Sequence, residues 1–125
     1  MRYMTNFIAL AMVYMHIIDD YVLQGILAQM KCKSWWEKNA PDPMYANDYR
    51  TALCMHSLSW AFSIMLPIAV YYHFELNGMF ITMFFVNAII HWIVDNLKAN
   101  KKAINLYQDQ MIHLIQIWVT SFVLL

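Results

Sequence analysis

The segment 5–30, TNFIALAMVYMHIIDDYVLQGILAQM, decides the class of fold to which this chain belongs. It is long enough to cross a bilayer as a helix, which requires roughly 20 mainly apolar residues. A histidine, two aspartates and a glutamine interrupt its apolar run at His16, Asp19, Asp20 and Gln24. Polar and ionisable residues inside a membrane segment are energetically costly and usually mark a functional site. We therefore expect other polar residues of the chain to pair with them.

The composition of the whole chain also indicates a membrane protein. Of its 125 residues, 62% are hydrophobic and 13% are charged, whereas soluble domains carry about 25% charged residues. Glycine and proline are scarce, which favours long helices over a sheet. The net charge is zero and no basic run occurs, so nothing indicates nucleic-acid binding; the two cysteines match no zinc-site spacing. We expect residues 1–30 to remain in the mature protein, because no signal-peptide cleavage site follows them.

We predict an all-α polytopic membrane protein, with a single domain over residues 1–125 and four transmembrane helices. The spans are expected at about residues 5–30, 51–74, 78–97 and 106–125. The first and third connections together hold seven of the eight Lys and Arg residues. Because these residues concentrate in cytoplasmic loops, we expect the two basic loops in the cytoplasm and both termini on the other side of the membrane.

Ionisable side chains from all four predicted spans fall in the cytoplasmic half of the bilayer. Three pairs with i, i+4 spacing place both members on one helix face: His16 with Asp20, His91 with Asp95, and Asp109 with His113. His56, in the second span, lies at the same depth. We therefore predict a four-helix bundle with a polar pocket in its cytoplasmic half.

Histidine and carboxylate on one helix face are typical of a transition-metal site. We expect five residues to bind the metal or to orient its ligands: His16, Asp20, His91, Asp95 and His113. This set suits Zn or Mn better than Ca or Mg. Two alternatives stay open, namely His–Asp pairs that only hold the helices together and a path for protons or ions. Asp19 points about 100° away from Asp20 on an α-helix and is given a lesser role.

The order of these residues resembles that of a known family. A similar pattern occurs in the small bacterial and phage membrane proteins grouped as domain-of-unknown-function family 3307: His16-x-x-x-Asp20-x-x-x-Gln24, Lys31, His56, His91-x-x-x-Asp95-x-x-Lys98 and Asp109-Gln110-x-x-His113. The resemblance implies a short multi-span protein of bacterial or phage origin. We therefore expect a location in the bacterial inner (cytoplasmic) membrane, where the distribution of basic residues predicts periplasmic termini. The chain departs from the family at Asp19, where a small or apolar residue is usual, and at Gly25 and Ile26, where a Thr-Asp pair is frequent.

The expected function is that of a metal-dependent hydrolase acting on a lipid headgroup or a phosphoester. His56 and Asp109 would serve as ligand or general base, and Lys98, with Lys31, would bind an anionic group such as a phosphate. Three amide side chains would orient the ligands: Gln24, Gln110 and Asn87. The alternative is a non-enzymatic membrane module that binds a host membrane protein through the loop 31–50. A homo-oligomer is compatible with either function.

Overall fold

The computed structural model describes residues 2–125 of the chain, and its regular structure is helical. The described residues form six α-helices: α1 (Arg2–Ile18), α2 (Leu27–Met30), α3 (Lys33–Asn39), α4 (Asp48–Tyr71), α5 (Gly78–Ala99) and α6 (Leu106–Leu124). A π-helical turn (Asp19–Leu23) follows α1, and a 3-10 turn (Pro43–Tyr45) precedes α4. No strand occurs within these residues, so the all-α class is confirmed.

Three helical segments are long and apolar enough to cross a membrane: Tyr3–Leu23, Pro43–Tyr71 and Gly78–Ala99. They correspond to the first three spans predicted from the sequence. The fourth predicted span forms α6, whose 19 residues include three glutamines besides Asp109 and His113. These polar side chains lower its hydropathy, and α6 is not among the three candidate segments found in residues 2–125.

The first span is not one continuous helix over 5–30. Helix α1 ends at Ile18, the π-turn follows, and the short α2 begins only at Leu27. Gly25 lies between them with φ +51, a left-handed conformation that residues with a Cβ rarely adopt. The predicted helix is therefore interrupted in the same part of the segment as its polar residues Asp19, Asp20 and Gln24.

The four long helices pack in a ring, in which α4 contacts α1 and α5, and α6 contacts α5 and α1. The C-terminal halves of α4 and α6, the N-terminal half of α5 and Ile8 and Met12 of α1 form an apolar core at one end of this ring. There the Tyr72 hydroxyl donates a hydrogen bond to the Leu124 carbonyl at 2.6 Å. The other end of the ring contains most of the buried charged residues and is the part of the molecule with a candidate site.

Asparagine side chains fix the starts of α5 and α6. Asn77 accepts a hydrogen bond from the Phe80 amide at 2.9 Å. Asn105 accepts from the Gln108 amide at 2.9 Å, and the Gln108 side chain accepts in turn from the Asn105 amide at 3.0 Å. This reciprocal pair is a capping box, which satisfies backbone donors that the first turn of a helix leaves free. It sets the register of α6 and hence the direction of the polar residues in its first turns.

Candidate metal centre

Eight aspartate and histidine side chains from four helical segments are buried together in the polar end of the bundle. None of them is more than 7% exposed: His16, Asp19, Asp20, His56, His91, Asp95, Asp109 and His113. Buried carboxylates are tolerated only when they are paired, hydrogen-bonded or bound to a cation. The contacts of each carboxylate therefore show what the cluster can hold.

Four potential ligand atoms face one another at the centre of this cluster. His56 Nε2 lies 3.1 Å from His91 Nε2, 3.3 Å from Asp20 Oδ1 and 3.3 Å from Asp95 Oδ2. His91 Nε2 lies 3.8 Å from each of the same two carboxylate oxygens. In a tetrahedral site with metal–ligand bonds of about 2.0–2.2 Å, neighbouring ligand atoms are about 3.3–3.6 Å apart. The observed distances bracket this range, so this buried His/Asp group could hold a metal ion.

The π-turn after α1 brings two consecutive aspartates to one imidazole ring. Asp20 Oδ1 faces Nε2 of His56, whereas Asp19 Oδ1 lies 3.7 Å from Nδ1 of the same ring. The other oxygen of Asp19 accepts hydrogen bonds from the hydroxyls of Ser59 at 2.8 Å and Ser63 at 2.9 Å. A carboxylate behind a metal-binding histidine fixes the tautomer and the orientation of the ring. Asp19, to which the α-helical spacing gives a lesser role, lies behind His56 in this way, but at 3.7 Å it makes no hydrogen bond to the ring and acts on it through its charge.

Two lysines neutralise part of the negative charge. Lys31 Nζ donates to Asp95 Oδ2 and Lys98 Nζ donates to Asp109 Oδ2, both at 2.6 Å. Lys31 is buried, and the Lys98 side chain is 25% exposed. With neutral histidines, the four aspartates and two lysines leave two uncompensated negative charges, which one divalent cation would balance. Sequence reasoning expects both lysines to bind a substrate anion, whereas in the structure they contact the aspartates of the chain itself.

His16 makes hydrogen bonds through both ring nitrogens. The indole N–H of Trp60 can only donate, so His16 Nδ1 accepts this bond, at 2.8 Å. His16 Nε2 therefore carries the proton and donates to Gln110 Oε1 at 3.0 Å. Gln110 Nε2 donates to Asp20 Oδ2 at 3.3 Å and to Asp109 Oδ2 at 2.9 Å. In this arrangement His16 has no free lone pair for a metal, and together with Gln110 it positions two aspartates.

The other two amides expected at the site act at a greater distance from the ligand atoms. Gln24 donates to the backbone carbonyl of Asp20, within the π-turn. Asn87 Oδ1 accepts from Gln116 Nε2 at 3.2 Å, and Gln116 Oε1 lies 3.1 Å from Nδ1 of His113. Asn87 therefore influences His113 only through Gln116.

Several side chains at the site are missed by sequence reasoning. Trp60 stacks on His91 with ring centroids 4.2 Å apart, and it also belongs to the apolar core, so it lies where the buried His/Asp cluster and this core meet. It lies one helical turn after His56, so the i, i+4 rule that selects the His–Asp pairs could also have found it. The same rule places Ser59 and Ser63 on one face of α4, and this pair of hydroxyl donors would have indicated a hydrogen-bond acceptor facing that side of the helix. In contrast, nothing in the sequence indicates the π-turn.

No family model, no curated protein and no solved structure matches this chain. The resemblance to family 3307 therefore stays a prediction.

Proposed function

We propose that this chain is an integral protein of the bacterial inner membrane that binds a divalent transition metal, Zn or Mn. The metal would be held by Asp20, His56 and His91, with Asp95 beside it, and used to hydrolyse a lipid headgroup or another phosphoester. The observation that carries the proposal is the close spacing of four buried ligand atoms from three separate helical segments, with five of their separations between 3.1 and 3.8 Å. A bound divalent cation would also remove the two uncompensated negative charges of the cluster.

The surface of the bundle supports a position within the bilayer. Large apolar side chains point outward along its length, among them Phe7 at 72%, Phe62 at 61% and Ile89 at 59% exposure. Helix α6 likewise exposes Trp118 at 70% and Phe122 at 80%, which supports its assignment as a fourth span despite its polar inner face. With four spans, the basic connections lie together in the cytoplasm, both termini lie in the periplasm, and the polar cluster lies near the cytoplasmic side.

A catalytic metal site usually has three protein ligands and one position open for water. Asp20, His56 and His91 would provide the three ligands, and the metal would polarise a phosphoryl oxygen and activate water for attack. Asp95 Oδ2 lies at the fourth corner, where it would accept the proton of that water while Lys31 holds the carboxylate in place. Lys98 is the more exposed of the two lysines and would contact the anionic group of the substrate.

A non-enzymatic role is the second candidate, and one observation favours it. Asp95 Oδ2 completes a set of four ligands, and four-ligand closed sites are typical of structural metals. The metal would then hold three helical segments together, and the exposed residues of loop 31–50 would bind a partner such as a host membrane protein. A proton or ion path has less support, because apolar side chains fill the other end of the bundle.

Elemental analysis of the detergent-purified chain tests the metal site. We expect bound Zn or Mn in the wild type and in His73→Ala, a control in the exposed turn after α4, but not in His91→Ala. A wild type that stays metal-free after incubation with Zn and Mn would exclude the proposed function.

Turnover separates the two candidate functions. Vesicles of bacterial inner-membrane lipids and a soluble phosphodiester are incubated with metal-loaded protein, with and without a chelator. Release of the hydrolysis product supports the hydrolase if it requires metal and is lost in Asp95→Asn while this variant still binds its metal ion. Metal binding without turnover of either substrate supports the structural role.

A further inference from the structure

We infer that a second cation site lies beside the first, formed by Asp109 Oδ1, His113 Nε2 and Asp95 Oδ1. With the second ion bound, the two oxygens of Asp95 would bridge the two ions, and Asp95 would be a ligand of both in place of its role as proton acceptor. The inference rests on the proposed function, because it adds a second ion and an anionic substrate to the same centre.

The two carboxylates of the second site share one pattern of contacts. Asp109 Oδ2 accepts hydrogen bonds from Lys98 and Gln110, and Asp95 Oδ2 accepts one from Lys31. The Oδ1 atom of each is buried and has no hydrogen-bond partner among residues 2–125. Lys98 Nζ is 3.8 Å from Asp95 Oδ1, which is too far for a hydrogen bond. Buried polar atoms in proteins are almost always hydrogen-bonded, so two such oxygens close to one imidazole indicate a position for a bound cation.

A chain of hydrogen bonds determines which nitrogen of His113 faces these oxygens. The Thr120 hydroxyl donates to the Gln116 carbonyl at 2.7 Å, so it accepts from Asn87 Nδ2, also at 2.7 Å. Asn87 Oδ1 must then accept from Gln116 Nε2, which leaves Gln116 Oε1 to accept from His113 Nδ1–H. In the neutral ring, Nε2 therefore presents its lone pair and not a proton.

The distances at His113 favour a metal ion over a proton. Its Nε2 atom lies 3.4 Å from Asp109 Oδ1 and 3.7 Å from Asp95 Oδ1. A protonated ring would donate a charge-assisted hydrogen bond of about 2.7–2.9 Å. Two ligands of one tetrahedral metal ion are about 3.3–3.6 Å apart, close to the observed values. Both distances from His113 therefore fit ligands that share an ion better than a hydrogen-bonded ion pair.

Asp95 connects this site to the first. Its Oδ2 atom faces His56 and His91, and its Oδ1 atom faces His113. Carboxylate-rich centres with two metal ions about 3.5–4 Å apart act on phosphoesters by holding the attacking and the leaving oxygen. One divalent ion already balances the charge of the cluster, so the second ion would bind more weakly. A bound anion would compensate its charge, and we therefore expect inorganic phosphate to strengthen binding of the second ion.

The stoichiometry of manganese binding tests the second site. We expect two Mn ions per wild-type chain at saturation, and one in the double variant Asp109→Asn/His113→Gln. Glu75→Gln, an exposed acid-to-amide change in the turn between α4 and α5, is the matched control and should keep both ions. A single ion per wild-type chain overturns the inference but leaves the proposed function standing, whereas no ion overturns both.

Two further measurements do not depend on folding of the variants. Electron paramagnetic resonance of the Mn-loaded wild type should show an exchange-coupled pair, and a spectrum of isolated ions only would exclude the Asp95 bridge. Inorganic phosphate should lower the dissociation constant of the second ion, whereas an unchanged constant would exclude an anionic substrate at this pair.

Discussion

Replacing Asp19 by asparagine removes one negative charge from behind His56 and changes the side-chain volume very little. Asp19 is fully buried, and its Oδ1 atom lies 3.7 Å from His56 Nδ1. Without the carboxylate, the ring loses the nearby negative charge that makes it a stronger ligand. Loss of such a partner typically lowers metal affinity 10–100-fold. For Asp19→Asn we therefore expect a loss of about 1.4–2.7 kcal/mol in the free energy of metal binding.

Competition with a chromophoric chelator measures this loss in detergent-purified protein. Asp42→Asn is the matched control, because Asp42 is exposed and caps the turn at Met44, a role that asparagine can keep. The double variant Ser59→Ala/Ser63→Ala should weaken binding in the same direction but less, because the carboxylate loses its hydroxyl donors and keeps its charge. Equal metal affinity in Asp19→Asn and Asp42→Asn, at equal melting temperatures, would refute the assignment of Asp19 to His56.

Three further predictions concern the lysine at the site, the break in the first span and the orientation in the membrane. Lys31→Met should bind metal about tenfold more tightly than Lys38→Met, an exposed control, because the ammonium group of Lys31 in the wild type competes with the cation for a carboxylate oxygen at 2.6 Å. Weaker or equal metal binding in a chelator competition would contradict this. Gly25→Ala should lower the free energy of unfolding by roughly 1–2 kcal/mol because of its positive φ, whereas Gly78→Ala, where a Cβ meets no atom within 4 Å, should be neutral in denaturant titrations. In a cysteine-free background, an impermeant maleimide should label Glu75→Cys in cells with an intact inner membrane and Lys38→Cys only after that membrane is opened; the reverse pattern would invert the topology.

The sequence predicts much of the fold, because helical periodicity and hydropathy are local properties. The i, i+4 spacing of His91 and Asp95 places both on one face of α5, and both lie in the cluster. The apolar runs predict three helices that the structure shows as candidate spans. The fourth predicted span is a helix with an exposed apolar face, although its buried polar residues reduce its hydropathy.

The parts of the site that sequence cannot predict depend on contacts between distant residues. The spacing rule separates Asp19 from Asp20 because it assumes an α-helix, and only the π-turn brings both to His56. The partner of Lys31 is Asp95, which is 64 positions further along the chain. Likewise, which nitrogen of His16 carries the proton depends on the indole of Trp60. These contacts and the protonated nitrogen of His16 are determined by how whole helices pack and not by any local sequence pattern.

The position of Trp60 gives the cluster its own optical reporter. Its indole ring lies nearly parallel to the imidazole of His91, with an interplanar angle of 17°, and its N–H is bonded to His16. A cation placed on His91 withdraws electron density from a ring in direct contact with the indole, so the fluorescence of Trp60 should change as the cluster is loaded. Occupancy could then be followed in lipid vesicles, in real time and without an added dye, by comparing the emission of the wild type with that of Trp60→Phe.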